Sequence, residues 1–147
     1  MSIRPLILCA LACLTFALMA CGIGQKRSGL PLGAQNSIDS ITADIARGDY
    51  AKVYADAAEE WRRTASAEES RVNLERIRTS LGNVHSRAPL GAQERESGSG
   101  DLAGHTLVVS YNAKFERADA IETFTLVERS GRWLLARYAV NSNALKQ

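Results

Sequence analysis

The sequence predicts an α+β domain, with N-terminal helices packed on one face of a four-stranded antiparallel sheet. Three observations point there. Between residues 37 and 81, apolar side chains recur at spacings of three and four, the period of one helix face. From residue 105 onward they alternate, the period of a strand. The links between those strands are short, so neighbours must run antiparallel.

Before the domain comes a leader. Arg4 is the single charge before Lys26, and Leu6 to Ala20 is apolar and uncharged. A basic start, an apolar stretch of this length and small residues at its end make a secretory leader, residues 1–20. A spanning helix needs roughly 20 apolar residues. This run is shorter, and Gly22, Gly24, Gln25, Lys26 and Arg27 follow at once.

Leu18-Met19-Ala20-Cys21 resembles the bacterial lipoprotein signal, the lipobox. That resemblance implies cleavage before Cys21, a thioether-linked diacylglycerol on its sulfur, and a third acyl chain such as palmitate on the new amino terminus. A cysteine thiolate is the nucleophile able to take the lipid. Each buried methylene contributes about 0.8 kcal/mol, so three chains make release negligible. Gly22 follows the cysteine where an inner-membrane retention mark resembles Asp, which implies the outer membrane, facing the periplasm. Cys9 and Cys13 leave with the leader, so the mature domain has no disulfide and is held by its core.

Residues 21–36 read as a lipidated tether, rich in glycine and carrying Lys26 and Arg27. The single domain is then 37–147. Losing Arg4 leaves seventeen basic side chains against sixteen acidic ones. That balance, with Arg62-Arg63 beside Glu59-Glu60, excludes a nucleic-acid partner, which needs a clustered basic face.

Ser37 is placed to cap a first helix with Ile38, Ile41 and Ile45 on one face, stopped by Gly48. Asp49 is placed to cap a short second helix with Tyr50, Val53, Tyr54 and Ala57 inward. Trp61 follows and should be packed, with its indole N–H bonded to one partner. Ser66 and Glu69 form a capping box for a helix running to Leu81, with Leu74, Ile77 and Leu81 as its stripe and Gly82 as its stop. Val72 lies on the flank.

The strands are expected at Asn83–Pro89, the least regular; at His105–Phe115; at Ala120–Glu128; and at Arg132–Ser142. Gly91 to Gly104 is polar and glycine-rich and reads as a long loop, and Ser130-Gly131 as a tight hairpin. In the second strand Leu107, Val109, Tyr111, Ala113 and Phe115 share a face. In the third, Glu122, Phe124 and Leu126 oppose Ile121, Thr123, Thr125 and Val127.

Five stretches in order resemble the domain of unknown function 4019 family. They are Gly48-Asp49-Tyr50 with Tyr54 and Trp61; Leu81-Gly82; Val109-Ser110-Tyr111 with Phe115; Ala120 through Leu126; and Gly131-Arg132-Trp133 with Tyr138. Members are small bacterial envelope proteins, and the layout is similar to a reduced cystatin-like or NTF2-like curved sheet wrapped on helices. The family brings no catalytic residue.

The residues themselves offer little chemistry. His85 and His105 lie on separate elements with no cysteine in the mature core, so no metal or other cofactor is expected. No phosphate loop, dinucleotide fingerprint or nucleophile elbow occurs. Glu122 stands in an otherwise apolar, Thr-rich strand. The favoured reading pairs it with Arg137 on the next strand as an exposed ion pair. The other reading, in a curled sheet, gathers Tyr111, Glu122, Phe124 and Tyr138 around a pocket. Three functions fit, in this order: a non-enzymatic, lipid-anchored binder of an envelope protein or component; a small-ligand carrier with a pocket between helices and sheet; an enzyme with a buried acid facing such a pocket.

Overall fold

The computed structural model describes residues 29–146; the leader, Cys21 and residues 22–28 lie outside that range. Four helices come first: α1 (Leu32–Arg47), α2 (Tyr50–Ala55), α3 (Glu59–Thr64) and α4 (Ala67–Leu81). Four strands follow, β1 (Val84–Ser97), β2 (Gly104–Phe115), β3 (Asp119–Arg129) and β4 (Arg132–Asn141), closed by a 3₁₀ turn, Asn143–Leu145. The sheet is antiparallel throughout, in the order β1-β2-β3-β4, so β1 and β4 are its edges. The chain is the α+β domain its periodicity predicts.

The first helix starts earlier than Ser37. Pro31 stands at its N-cap, and Leu30 and Ala34 are buried with Ile38 in the main core. The spacing explains this: 30, 34, 38, 41 and 45 continue one apolar stripe backward through a stretch whose proline and glycines read as tether. Gly33 lies under Trp133, where a Cβ would meet the indole at 3.2 Å. Ser37, freed from capping, donates its hydroxyl to the Trp133 carbonyl (2.9 Å) and ties α1 to β4.

Apart from Ser37 and Asp49, the helix ends follow the expected signals. Gly48 ends α1 at φ +80. Ser66 and Glu69 make the capping box: Ser66 N–H donates to the Glu69 carboxylate (2.7 Å), and Glu69 N–H to Ser66 Oγ (3.2 Å). Asp49 stands at the N-cap of α2 as expected, but its side chain makes no capping bond; its carboxylate accepts from Arg47 Nε at 2.8 Å. Arginines satisfy helix C-terminal carbonyls. Arg78 donates to Ile45 and Ala46 at the end of α1, and Arg62 to Ala55 (3.0 Å) and Ala57 (2.7 Å) after α2. Arg117 reaches back from the β2–β3 turn to Thr79 (2.6 Å) and Ser80 (3.1 Å) on α4. Each places a cation where unpaired carbonyls concentrate negative charge.

The main core joins Ile38, Val53, Ala57, Trp61 and Leu74 of the helical layer to Leu107, Val109, Tyr111, Phe124, Leu126, Trp133 and Leu135 of the sheet. Trp61 is buried, and its indole N–H donates to Ser70 Oγ (2.8 Å). A second cluster, Leu81, Ala113, Phe115 and Ala120, fills the other end of the sheet.

The first strand differs most from its reading. It continues past Pro89 to Ser97 and pairs with β2 along its length, so the loop shrinks to residues 98–103. Nearly all of it is exposed, so no alternating pattern marked it as a strand. The register slips between Pro89 and Gly91, leaving Leu90 as a bulge that is 52% exposed. Proline and a bulge suit an edge strand. At the other hairpin Ser130 (φ +52) and Gly131 (φ +74) both take positive φ, the geometry of a two-residue I′ turn.

Two glycines separate backbone strain from collision. At Gly48 nothing lies within 4 Å of an added Cβ, so Gly48→Ala should cost about 1–2 kcal/mol from φ alone. Gly82 has φ +82 and ψ −161, a region left to glycine, and its added Cβ would lie 2.7 Å from Glu116 Cβ. Gly82→Ala should therefore cost at least about 3 kcal/mol. Denaturant unfolding of both variants checks the order; equal losses would contradict it.

Candidate functional site

Glu122 is the most unusual side chain of the sheet: it is charged and 0% exposed. It points to the helix side from the middle of β3, opposite Tyr111 on β2 and Val140 on β4. Arg137 is not its partner. A register shift after Thr125 puts Arg137 opposite Thr125, where its side chain is exposed. The exposed ion pair read from the sequence is thus replaced by one between the buried Glu122 and the half-buried Arg87 of β1.

Arg87 lies opposite Ala113, so its guanidinium must cross β2 to reach β3. The small side chains of Ala113 and Ala120 leave that path open. Its Nε donates to Glu122 Oε2, and Nη2 to Oε1 at 3.0 Å. The Tyr138 hydroxyl donates to the same Oε1 at 2.7 Å. Both carboxylate oxygens are therefore occupied by the chain's own groups. Burial works against the charge on Arg87, but the bond and field of Glu122 outweigh it and leave the pKa raised. Burial, then the neighbouring carboxylate, pushes the Tyr138 phenol well above its usual range, so it stays a donor.

The four residues read as a pocket lining do come together. Tyr111 meets Phe124 edge to face with centroids 6.0 Å apart, and Phe124 meets Tyr138 at 5.1 Å. They pack on one another. Tyr138 lines a cleft of about 430 Å³ and a crevice of about 90 Å³, and Tyr111 lines a hollow of about 270 Å³. Glu122 and Phe124 line none of the three. Sequence reasoning missed Arg87. Its one signal was a lone arginine between apolar Val84 and Ala88, in a segment with no strand pattern.

The larger cleft lies between α4 and the free edge of β4. Leu74 and Ile77 form one wall, Ala136 to Val140 the other, and Leu145 is among the residues lining it. Arg76 and Arg137 are its charged residues, and no acidic side chain lines it.

His105 forms a separate polar cluster. Its ring meets Trp133 at a tilt of 58° (centroids 4.9 Å apart), its Nδ1 lies 2.7 Å from Glu128 of β3, and its Nε2 meets Glu94 of β1. The hydrogen bond to Glu128, then that to Glu94, raise its pKa against a lowering from desolvation. Among the described residues no group of three or more His, Cys, Asp or Glu side chains is disposed to hold a metal ion. Nor is any helix among them long and apolar enough to cross a membrane.

A family model described as protein of unknown function (DUF4019) matches residues 39–138, which span Arg87, Glu122 and Tyr138. No curated protein matches the chain.

Removing one partner of a buried ion pair strands the other, so Arg87→Met should destabilise by about 3–5 kcal/mol. Arg87→Met combined with Glu122→Leu should recover much of that loss, because no buried charge remains. Urea unfolding decides; a double variant as unstable as the sum of both singles would contradict a structural pair. For His105 the sign follows from the raised folded pKa. Its stabilisation is complete below the ordinary value of 6.5 and fades as pH climbs through the raised one. The Tm gap between wild type and His105→Gln should narrow over that rise; a constant gap in calorimetry would contradict it.

Proposed function

The chain belongs to the DUF4019 family of proteins of unknown function, and from that premise we propose that it is a lipid-anchored protein of the bacterial envelope whose folded domain binds a protein or envelope component without catalysing a reaction. The observation that carries the binding role is the contrast between inside and outside. The interior acid, Glu122, has both oxygens occupied by Arg87 and Tyr138. The roomiest space beside the quartet is instead the open cleft between α4 and β4.

The anchor reading rests on Cys21 at the end of the apolar leader. Eight residues, 22–29, separate Cys21 from Leu30, the first core residue among those described. Eight residues span at most about 29 Å even when fully extended, so a lipid on Cys21 would hold the domain close to the membrane surface. Lys26 and Arg27 in that tether add about 1 kcal/mol each where the headgroups are anionic, which orients more than it holds.

A second reading is a small-ligand carrier. The cleft volume of about 430 Å³ falls within the range of small-molecule sites, about 300–1,000 Å³. Its position favours the first reading, because one wall is a sheet edge and not an enclosing cavity.

Cys21→Ser tests the anchor. Wild-type protein should sediment with membranes and remain there through high salt, and the variant should be released or keep its leader. Unchanged cleavage and membrane association in the variant would overturn the anchor.

A further inference from the structure

The cleft beside β4 has a feature that its volume alone does not convey. The link between α2 and α3 covers the first part of the strand's edge, where Ala58 N–H donates to the Leu135 carbonyl at 2.8 Å. Beyond that point, among the described residues, the ladder to β3 is the only backbone pairing of residues 136–140, and their outer edge receives no backbone bond. A strand edge of this kind presents a row of donors and acceptors to any extended chain laid beside it. At about 3.3 Å per residue it offers a wall of roughly 17 Å.

The surroundings select what lies there. Leu74, Ile77, Val140 and Leu145 line the cleft as apolar surface. Arg76 and Arg137 line it too, both exposed. Arg76 donates only a long bond to Asn73 Oδ1 (3.3 Å), and neither arginine has an ion pair among the described residues. Two such guanidiniums beside apolar surface, with no acid lining the cleft, complement carboxylates. A second copy fits poorly, because self-pairing of this edge gathers four arginines in one interface with no lining acid.

We propose that the free edge of β4 takes an extended, acidic segment of a protein partner as a fifth strand of the sheet. The backbone of residues 136–140 holds its main chain. Ile77, Val140 and Leu145 receive its apolar side chains, and Arg76 and Arg137 its carboxylates. This rests on the reading of the domain as a binding module and names what the module takes.

The test uses detergent-solubilised full-length protein and fluorescent peptides of about eight residues, enough to span the wall. One alternates valine with glutamate, one replaces each glutamate by lysine, and one is the glutamate peptide methylated on alternate backbone nitrogens. The glutamate peptide should bind, and the lysine and methylated peptides should bind about tenfold more weakly. The double variant Arg76→Glu, Arg137→Glu should reverse the preference toward the lysine peptide, a gain that a misfolded variant does not give. Equal binding of both charges, indifference to methylation, no binding of any peptide, or a dimer paired through β4 would each overturn the proposal. The readout is independent of the anchor: a failure here leaves membrane fractionation untouched, and Cys21→Ser should bind the glutamate peptide as wild type does.

Discussion

A carboxylate sealed from water must be matched by donors, and meeting that need shapes the sheet around Glu122. Its two oxygens draw Arg87 from β1 and Tyr138 from β4. Those strands are the two edges of the sheet, so one side chain in β3 links both of them through polar contacts. The demand also reaches residues that touch no charge. Alanines at 113 and 120 leave the guanidinium its path across the sheet, and aromatic rings at 111 and 124 pack beside the carboxylate. A buried pair of this kind adds little net stability over an apolar replacement, but losing one half is expensive. Its contacts tie β1, β3 and β4 together at one place in the sheet.

The edge strand β1 shows why such a tie matters. It is long and has few inward apolar residues, so hydrophobic burial holds it weakly. Arg87 fastens its first half to the body. His105, set between Glu94 and Glu128, joins the second half to β3 at the far end. The opposite edge is managed differently: the α2–α3 link covers the start of β4, and the remainder borders the arginine-lined cleft. One edge is pinned by charge and the other left available. The proposed partner strand rests on that asymmetry.

Much of the architecture was legible in the sequence because local signals and burial agreed. The Ser66–Glu69 box, the glycine stops at 48 and 82 and the Ser130-Gly131 turn are set within a few residues of chain. The stripe Leu74, Ile77, Leu81 and the alternation from Leu107 to Phe115 report burial on one face. Where tertiary contacts decide, local pattern failed. The start of α1 is held by Leu30 and Ala34 against the sheet, despite a proline and a glycine that suggest a loop. The length of β1 is set by pairing with β2, which leaves no periodic trace in an exposed strand. Glu122 stood out as an anomaly in its strand, but its partner depended on a bulge that turned Arg137 aside. The four residues read as a pocket lining are neighbours that pack on one another.

If the Glu122 tie governs the sheet, its mark should be visible within a single strand. Amide hydrogen exchange along β1, followed by peptide mass spectrometry, reads this directly. In Arg87→Met, residues 84–89 should exchange markedly faster than in the wild-type protein, and residues 92–97, held through Glu94 and His105, should change little. Equal acceleration along the whole strand, or none at residues 84–89, would contradict the central role given to that carboxylate.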